Sequence, residues 1–333
     1  ERMARQGKRL ITVARDNLKH EVVNKPKARA FQSMSIEEVL CMRKYTGTLQ
    51  AAMVTRHMEG HCQIGIDPLT QFHWLMDRMR DVGNIGEAGD FSRWDKHMLA
   101  PCIREGMDIL CELMCNYLPK ETDKEAVRKV FDVFAHSIIY TIVECEGFYY
   151  VKTRGIPSGV AVTAMLNCTI NELYTLMSVQ FLLDRYFYYE KTDNLEGLKQ
   201  YFGKAAKFLP EGYLPEQLTH KWFYKNFDFA VYGDDKFTVI NPRIAQIFNF
   251  KSFKKFYKDV LGITYDTPRK DGFEYKYCGL HEIEFLSRTM TVEDGVVFPA
   301  LKKETIVSLL HWSRQHQIEH YEDLLTDCLE EAA

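Results

Sequence analysis

Residues 227–240 constrain the fold most strongly, because apolar, β-prone residues lie on both sides of a central Gly233-Asp234-Asp235 triplet. Two such runs around a short turn that contains glycine are the pattern of a tight antiparallel hairpin. The paired aspartates have two interpretations. Gly-Asp is ordinary turn chemistry, and carboxylates held side by side are also what a divalent metal ion requires.

A further acidic position lies at the end of a predicted strand, where Asp90 follows Gly89. Phosphoryl transfer to a growing nucleic-acid chain uses two divalent cations about 3.5–4 Å apart, one activating the attacking hydroxyl and the other steadying the triphosphate. Mg²⁺ prefers carboxylate ligands. We therefore predict that Asp90, Asp234 and Asp235 converge at adjacent strand ends, although an ordinary strand-terminal cap stays open for Asp90.

A polar stripe follows the loop Gly155-Ile-Pro-Ser-Gly159. A long helix is predicted over about residues 160–188, and Thr163, Asn167 and Asn171 recur on it every four residues between apolar neighbours. Hydrogen-bonding side chains on one face of an apolar helix are expected where that face lines a cleft holding a sugar or a base pair. A solvated stripe is the other interpretation.

The order of the predicted elements indicates an α+β fold. The predicted order is a strand, the helix with the polar stripe, the hairpin, a further helix and a final strand. This is the order of a split βαβ unit with long helical insertions. Asp67-Pro68 and Pro101 open two of the helices. The other main predictions are helices over residues 36–56, 124–146 and 242–260, strands over residues 148–152 and 263–265, and a strand pair around Phe285 and Val297.

Charge is distributed unevenly along the chain. The net charge is only −3, yet residues 1–29 hold nine Lys or Arg against three Asp or Glu. A cationic arm on a near-neutral body suits a protein that holds phosphates in one channel. The nine cysteines are scattered, as in a reduced cytosolic protein. Apolar runs such as residues 137–143 are too short to span a bilayer.

Three motifs occur in a fixed order: Asp90-Phe-Ser-Arg-Trp-Asp95, Ser158-Gly-x3-Thr163-x3-Asn167 and Tyr232-Gly-Asp-Asp235. They resemble motifs A, B and C of the RNA-dependent RNA polymerases of positive-strand RNA viruses. Further segments are similar to motifs F, D and E of that family, the last being the primer grip. The resemblance covers about residues 10–300 and is strongest for the picornavirus-like order, particularly its dicistrovirus- and iflavirus-like enzymes. The further segments are Lys25-Pro-Lys-Ala-Arg29, Gly262-Ile-Thr-Tyr-Asp-Thr-Pro-Arg-Lys270 and Phe285-Leu-Ser-Arg288.

The resemblance implies a right-hand polymerase fold with a ferredoxin-like palm and helical fingers insertions. It also implies that Asp90 and Asp234 ligate two Mg²⁺ ions, or Mn²⁺, with Asp235 assisting. Lys270 is then the general acid that protonates the pyrophosphate leaving group, with an ordinary solvated lysine as the alternative. The remaining implied roles are neutralisation of the triphosphate by Lys25, Lys27 and Arg29, nucleotide and ribose binding by Asp95, Ser158, Gly159, Thr163 and Asn167, and primer gripping by Phe285, Leu286, Ser287 and Arg288.

By the same resemblance, we expect part of the fingers and a palm with the start of a thumb. The expected segments are fingers over residues 1–80, the motif A region of the palm over 81–118, a helical insertion over 119–147, palm motifs B to E over 148–290, and the start of the thumb over 291–333. A first residue of Glu rather than Met suits a segment of a polyprotein. The expected partners are an RNA template and primer or product, NTPs, a protein primer and other viral replication proteins. The expected location is a membrane-associated replication complex in the host cytoplasm, reached through those partners.

Two other functions stay open. A reverse transcriptase shares the palm and the paired-aspartate turn, but it places a bulky aromatic residue where Asp95 stands, which blocks the ribose 2′-hydroxyl. A non-catalytic RNA-binding remnant of a polymerase is the other possibility, and the presence of every expected metal carboxylate argues against it.

Overall fold

The computed structural model describes residues 1–18, 30–268, 274–293, 296–303, 305–307 and 326. The strands within these residues, β1 to β12, span Val13–Leu18, Ala30–Ser33, Ile85–Phe91, Ile142–Cys145, Phe148–Val151, Phe227–Tyr232, Asp235–Ile240, Tyr265–Asp266, Cys278–Gly279, Glu284–Phe285, Arg288–Glu293 and Val296–Leu301. The α-helices, α1 to α9, span Ile36–Thr55, Pro68–Arg80, Trp94–His97, Ala100–Tyr117, Lys124–Ile139, Thr163–Lys191, Leu195–Phe202, His220–Asn226 and Phe250–Phe256. A π-helical turn over Tyr257–Leu261 continues α9.

Helix α2 begins at Pro68, after the Asp67 cap, as the sequence predicted. The Asp67 carboxylate accepts a hydrogen bond from the Leu69 amide at 3.0 Å, and Pro68 occupies the first turn. One face of α2 then carries four apolar side chains that are at most 1% exposed. This face packs against Ala88 of β3 and Phe237 of β7 in a single buried cluster. The four side chains are Phe72, Leu75, Met76 and Met79.

The central sheet has the strand order β6-β7-β3-β8, and all neighbouring strands are antiparallel. β9 also pairs with β3, next to β8 on the same edge. In chain order, α6 lies between β3 and β6, and α9 lies between β7 and β8. This is the split βαβ arrangement, so the predicted α+β fold with a ferredoxin-like sheet is confirmed. Helices cover both faces, and within β3 only Ile85 and Asp90 are half-exposed.

A second sheet, with the order β2-β1-β4-β5, corrects one prediction. The helix predicted over residues 124–146 ends at Ile139, and Ile142–Cys145 forms a strand instead. β-branched residues at the start of this strand favour extended backbone. Glu146 and Gly147 both have positive φ, 48° and 85°, and close a two-residue hairpin between β4 and β5.

The helix predicted over residues 242–260 is wrong in its first part. Residues 242–247 form turns, and α9 begins only at Phe250. The Asn249 side chain accepts a hydrogen bond from the Ser252 amide at 3.3 Å and so starts the helix there. Ile244 and Ile247 are at most 1% exposed. These buried residues are spaced in the sequence as on the apolar face of a helix, although they lie in turns.

The last sheet is the antiparallel meander β10-β11-β12. Strands are present around Phe285 and Val297 as predicted, but each pairs with β11, which lies between them, rather than with the other. Among the described residues, no helix combines the length and the apolar character that crossing a membrane requires. The eight cysteines in this part of the chain are free thiols.

Candidate active site

The predicted hairpin around the aspartate pair is present. β6 and β7 pair antiparallel as far as Tyr232 and Asp235, which leaves Gly233 and Asp234 as a two-residue turn. Gly233 has a φ of 67°, in the left-handed region that glycine adopts without a steric penalty. The turn presents Asp234 at the surface, and Asp235 follows as the first residue of β7.

Strand register brings Asp90 opposite this hairpin. β3 and β7 are paired as far as Gly89 and Lys236. One residue further along both strands, Asp90 lies opposite Asp235. Residues that oppose each other in antiparallel strands project from the same face, and both aspartates are half-exposed. The carboxylates therefore lie on one face at adjacent strand ends.

These carboxylates have the chemistry of an Mg²⁺ site, because oxygen ligands of Asp90, Asp234 and Asp235 are those that hard cations prefer. Within the described residues, however, no group of three or more His, Cys, Asp or Glu side chains is arranged to hold a metal ion. The convergence of all three aspartates thus stays a prediction. Asp266 of β8 pairs with Asp90 on its other side, and its carboxylate binds Lys254 Nζ at 2.6 Å.

The glycine before Asp90 has a packing role. The ring of Tyr265 lies so close to Gly89 that a β-carbon at this position would overlap it. Tyr265 is fully buried, and its ring centroid lies 4.6 Å from that of Phe91. The backbone that carries Asp90 therefore rests directly on a fixed aromatic ring.

Asp95 lies in the short helix α3, exposed to solvent and next to the loop that precedes α6. Its carbonyl oxygen accepts a hydrogen bond from the Ile156 amide at 3.0 Å, and the Met98 carbonyl accepts one from the Gly155 amide at 2.8 Å. Gly155 has a φ of 73°, and a β-carbon there would overlap the Asp95 backbone. The tertiary structure thus joins the segment of Asp95 to the loop of Ser158.

The start of α6 is tied to its own loop and to β2. The Ser158 hydroxyl accepts a hydrogen bond from the Gln32 amide at 3.3 Å, and a β-carbon on Gly159 would overlap the Gln32 carbonyl. The Thr163 hydroxyl donates to the Val160 carbonyl at 2.7 Å. These contacts give Ser158, Gly159 and Thr163 a structural role, and their nucleotide-binding roles stay predictions.

Two side chains of α6, those of Cys168 and Asn171, bind the turn of the hairpin. The Asn171 amide nitrogen donates to the carbonyl of Gly233 at 3.0 Å and lies 3.5 Å from that of Asp234. The Gly233 amide in turn donates to the thiol sulfur of Cys168 at 3.2 Å. Asn167 Oδ1 is buried, and no donor among the described residues reaches it. Asn171 was predicted only as part of the polar stripe of Thr163 and Asn167, and the contact of Cys168 with the turn was not predicted.

A buried ion pair below the aspartates was also missed. Lys236 Nζ lies 3.5 Å from Glu87 Oε1, and both side chains are 0% exposed. Burial lowers the pKa of Lys236, but the nearby Tyr257 and Glu87 raise it above its ordinary value overall. Burial, followed by the charge of Glu87, raises the pKa of Tyr265 well above its ordinary value. Lys236 is therefore a cation and Tyr265 a neutral hydrogen-bond donor at neutral pH.

The predicted primer grip is a tight turn between β10 and β11. Leu286 and Ser287 have positive φ, 53° and 61°, and form its tip, a strained backbone for non-glycine residues. Phe285 is buried against Phe237, with ring centroids 5.0 Å apart. Arg288 donates to the Pro299 carbonyl at 2.9 Å. Ser287 at the tip is exposed, and Leu286 packs against the core. The gripping role of the four residues stays a prediction.

Four predicted site residues lie outside the described part of the chain. They are Lys25, Lys27, Arg29 and Lys270.

Comparison with solved structures defines the fold. The chain superimposes on a sicinivirus 3Dpol RNA-dependent RNA polymerase with a TM-score of 0.68 and 16% identity, over 100% of this chain and 66% of the other. The fold is therefore that of a right-hand nucleic-acid polymerase, as predicted.

Sequence comparison then defines the family. The model of the viral RNA-dependent RNA polymerase family matches residues 1–332. The chain is 25% identical to the RNA1 polyprotein of cowpea mosaic virus over 88% of its length, 23% identical to the replication polyprotein of Nora virus over 99%, and 23% identical to the replicase polyprotein of cricket paralysis virus over 88%. It spans only 14%, 14% and 15% of these polyproteins, respectively. The chain belongs to the viral RNA-dependent RNA polymerase family, and the predicted picornavirus-like relationship is confirmed.

Proposed function

We propose that this chain carries the nucleotidyl-transfer site of an RNA-directed RNA polymerase. It joins nucleotides from NTPs to the 3′-hydroxyl of an RNA, directed by an RNA template, in viral genome replication and transcription. The observation that carries this proposal is the register of β3 and β7, which sets Asp90 opposite Asp235 beside the turn of Asp234. Membership of the polymerase family supports RNA as both template and product.

In this proposal Asp90, Asp234 and Asp235 hold two Mg²⁺ ions, or Mn²⁺ in their place. When bound, the ions activate the attacking hydroxyl and neutralise charge on the triphosphate. The chain itself contributes a rigid arrangement of the ligands. The Asp90 backbone rests on a buried ring, and α6 holds the turn of Asp234 through Asn171. Because the metal ligands are already held in position, they need not be reorganised during the reaction.

Ribose selection is proposed for Asp95 and Asn167. Asp95 is exposed and joined through its backbone to the loop before α6. The buried Oδ1 of Asn167, which no donor in the described residues reaches, is an acceptor suited to a hydroxyl or amine donor. A site that hydrogen-bonds a substrate hydroxyl discriminates against the analogue that lacks it. NTPs are thus preferred to dNTPs.

The remaining roles and partners are proposed from the family resemblance. Lys25, Lys27 and Arg29 neutralise the triphosphate, and Lys270 protonates the pyrophosphate as it leaves. The proposed partners are the RNA template, the primer or product, a protein primer and other viral replication proteins. Through these partners the protein acts in a membrane-associated complex in the host cytoplasm.

Primer extension on an RNA template, with labelled NTPs and dNTPs in parallel, tests the proposal. NTP incorporation that Asp234→Asn abolishes is the expected result. A preference for dNTPs would instead identify a reverse transcriptase. RNA binding without incorporation of either substrate would identify a non-catalytic polymerase remnant, and undiminished incorporation by Asp234→Asn would end the metal assignment.

A further inference from the structure

A buried polar cluster lies on the opposite side of the sheet from the aspartates. Side chains alternate between the two faces of a strand, so Lys236, which follows Asp235, points away from the surface that carries the carboxylates. Glu87 of β3 lies on the same hidden side, and the two form the fully buried ion pair. Neither side chain can reach a substrate, yet each lies close in sequence to a proposed metal ligand.

Lys236 joins several elements at this point. Its Nζ donates to the Tyr257 hydroxyl at 2.9 Å and to the Thr175 hydroxyl at 3.4 Å. The Tyr265 hydroxyl donates to Glu87 Oε2 at 2.8 Å. The cluster therefore connects β7 and β3 with β8, the π-helical turn after α9, and α6.

The surroundings of the Lys236 ammonium are otherwise aromatic. Its Nζ lies 5.3–5.5 Å from the ring centroids of Phe253, Tyr257 and Tyr265, within the range of cation–π attraction. Glu87 Oε1 faces the ammonium, and no hydrogen-bond donor in the described residues reaches this oxygen. Charge attraction thus holds the two side chains together, although Glu87 Oε1 accepts no hydrogen bond from the described residues.

Such a pair is a poor source of stability. Removing two charges from water carries a large desolvation penalty, and apolar residues of similar volume are often neutral or stabilising in their place. The cluster does, however, hold the ring of Tyr265 against Gly89, and so fixes the backbone next to Asp90. Through Lys236 it fixes the backbone next to Asp235 in the same way.

We propose that Glu87, Lys236, Tyr257 and Tyr265 form a positioning cluster, which sets the spacing of Asp90 and Asp235 from the hidden face of the sheet and thereby tunes their affinity for divalent cations. This inference depends on the proposed metal site. The members are positioning residues, because each acts through the strand that it holds. Supporting residues behind metal ligands typically contribute about 10–100-fold to metal affinity or activity.

The test replaces the ion pair by apolar residues of similar size, Glu87→Leu with Lys236→Met. The purified protein is compared with the parent in thermal melting, in Mn²⁺ binding followed by electron paramagnetic resonance, and in the Mg²⁺ dependence of primer extension. We expect the double variant to fold but to melt below the parent, because loss of the ion pair itself costs little whereas the buried hydroxyls of Tyr257 and Tyr265 lose their partners. We expect its Mn²⁺ affinity to fall about tenfold and the required Mg²⁺ concentration to rise correspondingly.

A matched control removes another ion pair, which joins β6 of the same sheet to α2. Arg78 Nε binds Asp228 Oδ2 at 2.8 Å, and these side chains are 28% and 11% exposed. Arg78→Met with Asp228→Leu should leave Mn²⁺ affinity at the parent's value, whatever its effect on melting. An equal loss of affinity in this control would show a general effect of sheet stability and would overturn the positioning role.

The remaining outcomes are decisive as well. A folded Glu87→Leu/Lys236→Met variant with the parent's Mn²⁺ affinity overturns the inference. If that variant does not fold, Tyr265→Phe decides, because it keeps the ring under the Asp90 strand and removes only the bond to Glu87. Unchanged Mn²⁺ affinity in Tyr265→Phe would then overturn the inference. Unchanged Mn²⁺ affinity in Asp90→Asn would instead show that the proposed metal site itself is wrong.

Discussion

Replacement of Asn171 by alanine should show how much catalysis depends on the contact between α6 and the turn of Asp234, because the aspartates themselves stay unchanged. The substitution removes the donor that binds the Gly233 carbonyl at 3.0 Å and approaches that of Asp234 at 3.5 Å. Asn171 is 0% exposed, whereas Gly233 is half-exposed and Asp234 exposed, so water can partly replace the lost donor and the loss is that of an ordinary hydrogen bond, about 0.5–1.5 kcal/mol. Asn171 Oδ1 has no donor within the described residues, so its removal recovers part of a desolvation penalty. We therefore expect a loss of about 0.5–1.5 kcal/mol in the free energy of unfolding.

The effect on catalysis should be larger than this loss suggests. A turn released from α6 misplaces Asp234, and a displacement of the order of 1 Å in a catalytic group costs on the order of 10²-fold in rate. Urea unfolding measures the stability, and single-nucleotide incorporation under single-turnover conditions measures the rate.

Asn226→Ala is the matched control for Asn171→Ala. Its amide also donates to a backbone carbonyl, that of Trp222 at 2.9 Å, and the residue is 7% exposed. It should lose similar stability without a comparable loss of rate. If the two variants lose rate equally, or if Asn171→Ala keeps the parent's rate, α6 does not position the turn.

Three further predictions concern single positions. Asp95→Ala or Asn167→Ala should lower NTP incorporation more than dNTP incorporation, by about 1–3 kcal/mol in their ratio, and an unchanged ratio in both variants would contradict the ribose assignment. Lys270→Leu should slow the chemical step by about 10²–10⁴-fold with nearly unchanged nucleotide affinity. The same change in the preceding arginine should slow that step less. Equal rate losses in the two variants would point to general phosphate electrostatics. Gly89→Ala should destabilise the fold by about 1–3 kcal/mol in urea unfolding, because its β-carbon meets a buried ring. Gly47→Ala, where a β-carbon meets nothing within 4 Å, should be neutral or stabilising, and equal effects at the two glycines would refute the packing role.

Local patterns were sufficient at two places where the deciding contacts are close in the chain. The turn at Gly233 and Asp234 needs only its own backbone conformation and the apolar strands beside it. The start of α2 needs only the Asp67 side chain and the ring of Pro68. The order of the strands and helices then made the ferredoxin-like sheet and the family predictable, because few topologies accommodate that order.

Contacts between distant segments decided the rest. The partners of the buried Lys236 could not be read from its neighbours in sequence. Its carboxylate partner belongs to another strand, and its hydroxyl and aromatic partners belong to α6, α9, the π-helical turn and β8. From the sequence, the polar stripe that contains Asn171 is equally consistent with a solvated face. The packing of the β6–β7 hairpin against α6 decides that Asn171 is buried. The end of α5 was misplaced because the partners that make Ile142–Cys145 a strand are β1, which is distant in the chain, and β5. Local chain geometry fixes turns and helix starts, whereas hydrogen-bond satisfaction and burial are set by neighbours that only the folded chain brings together.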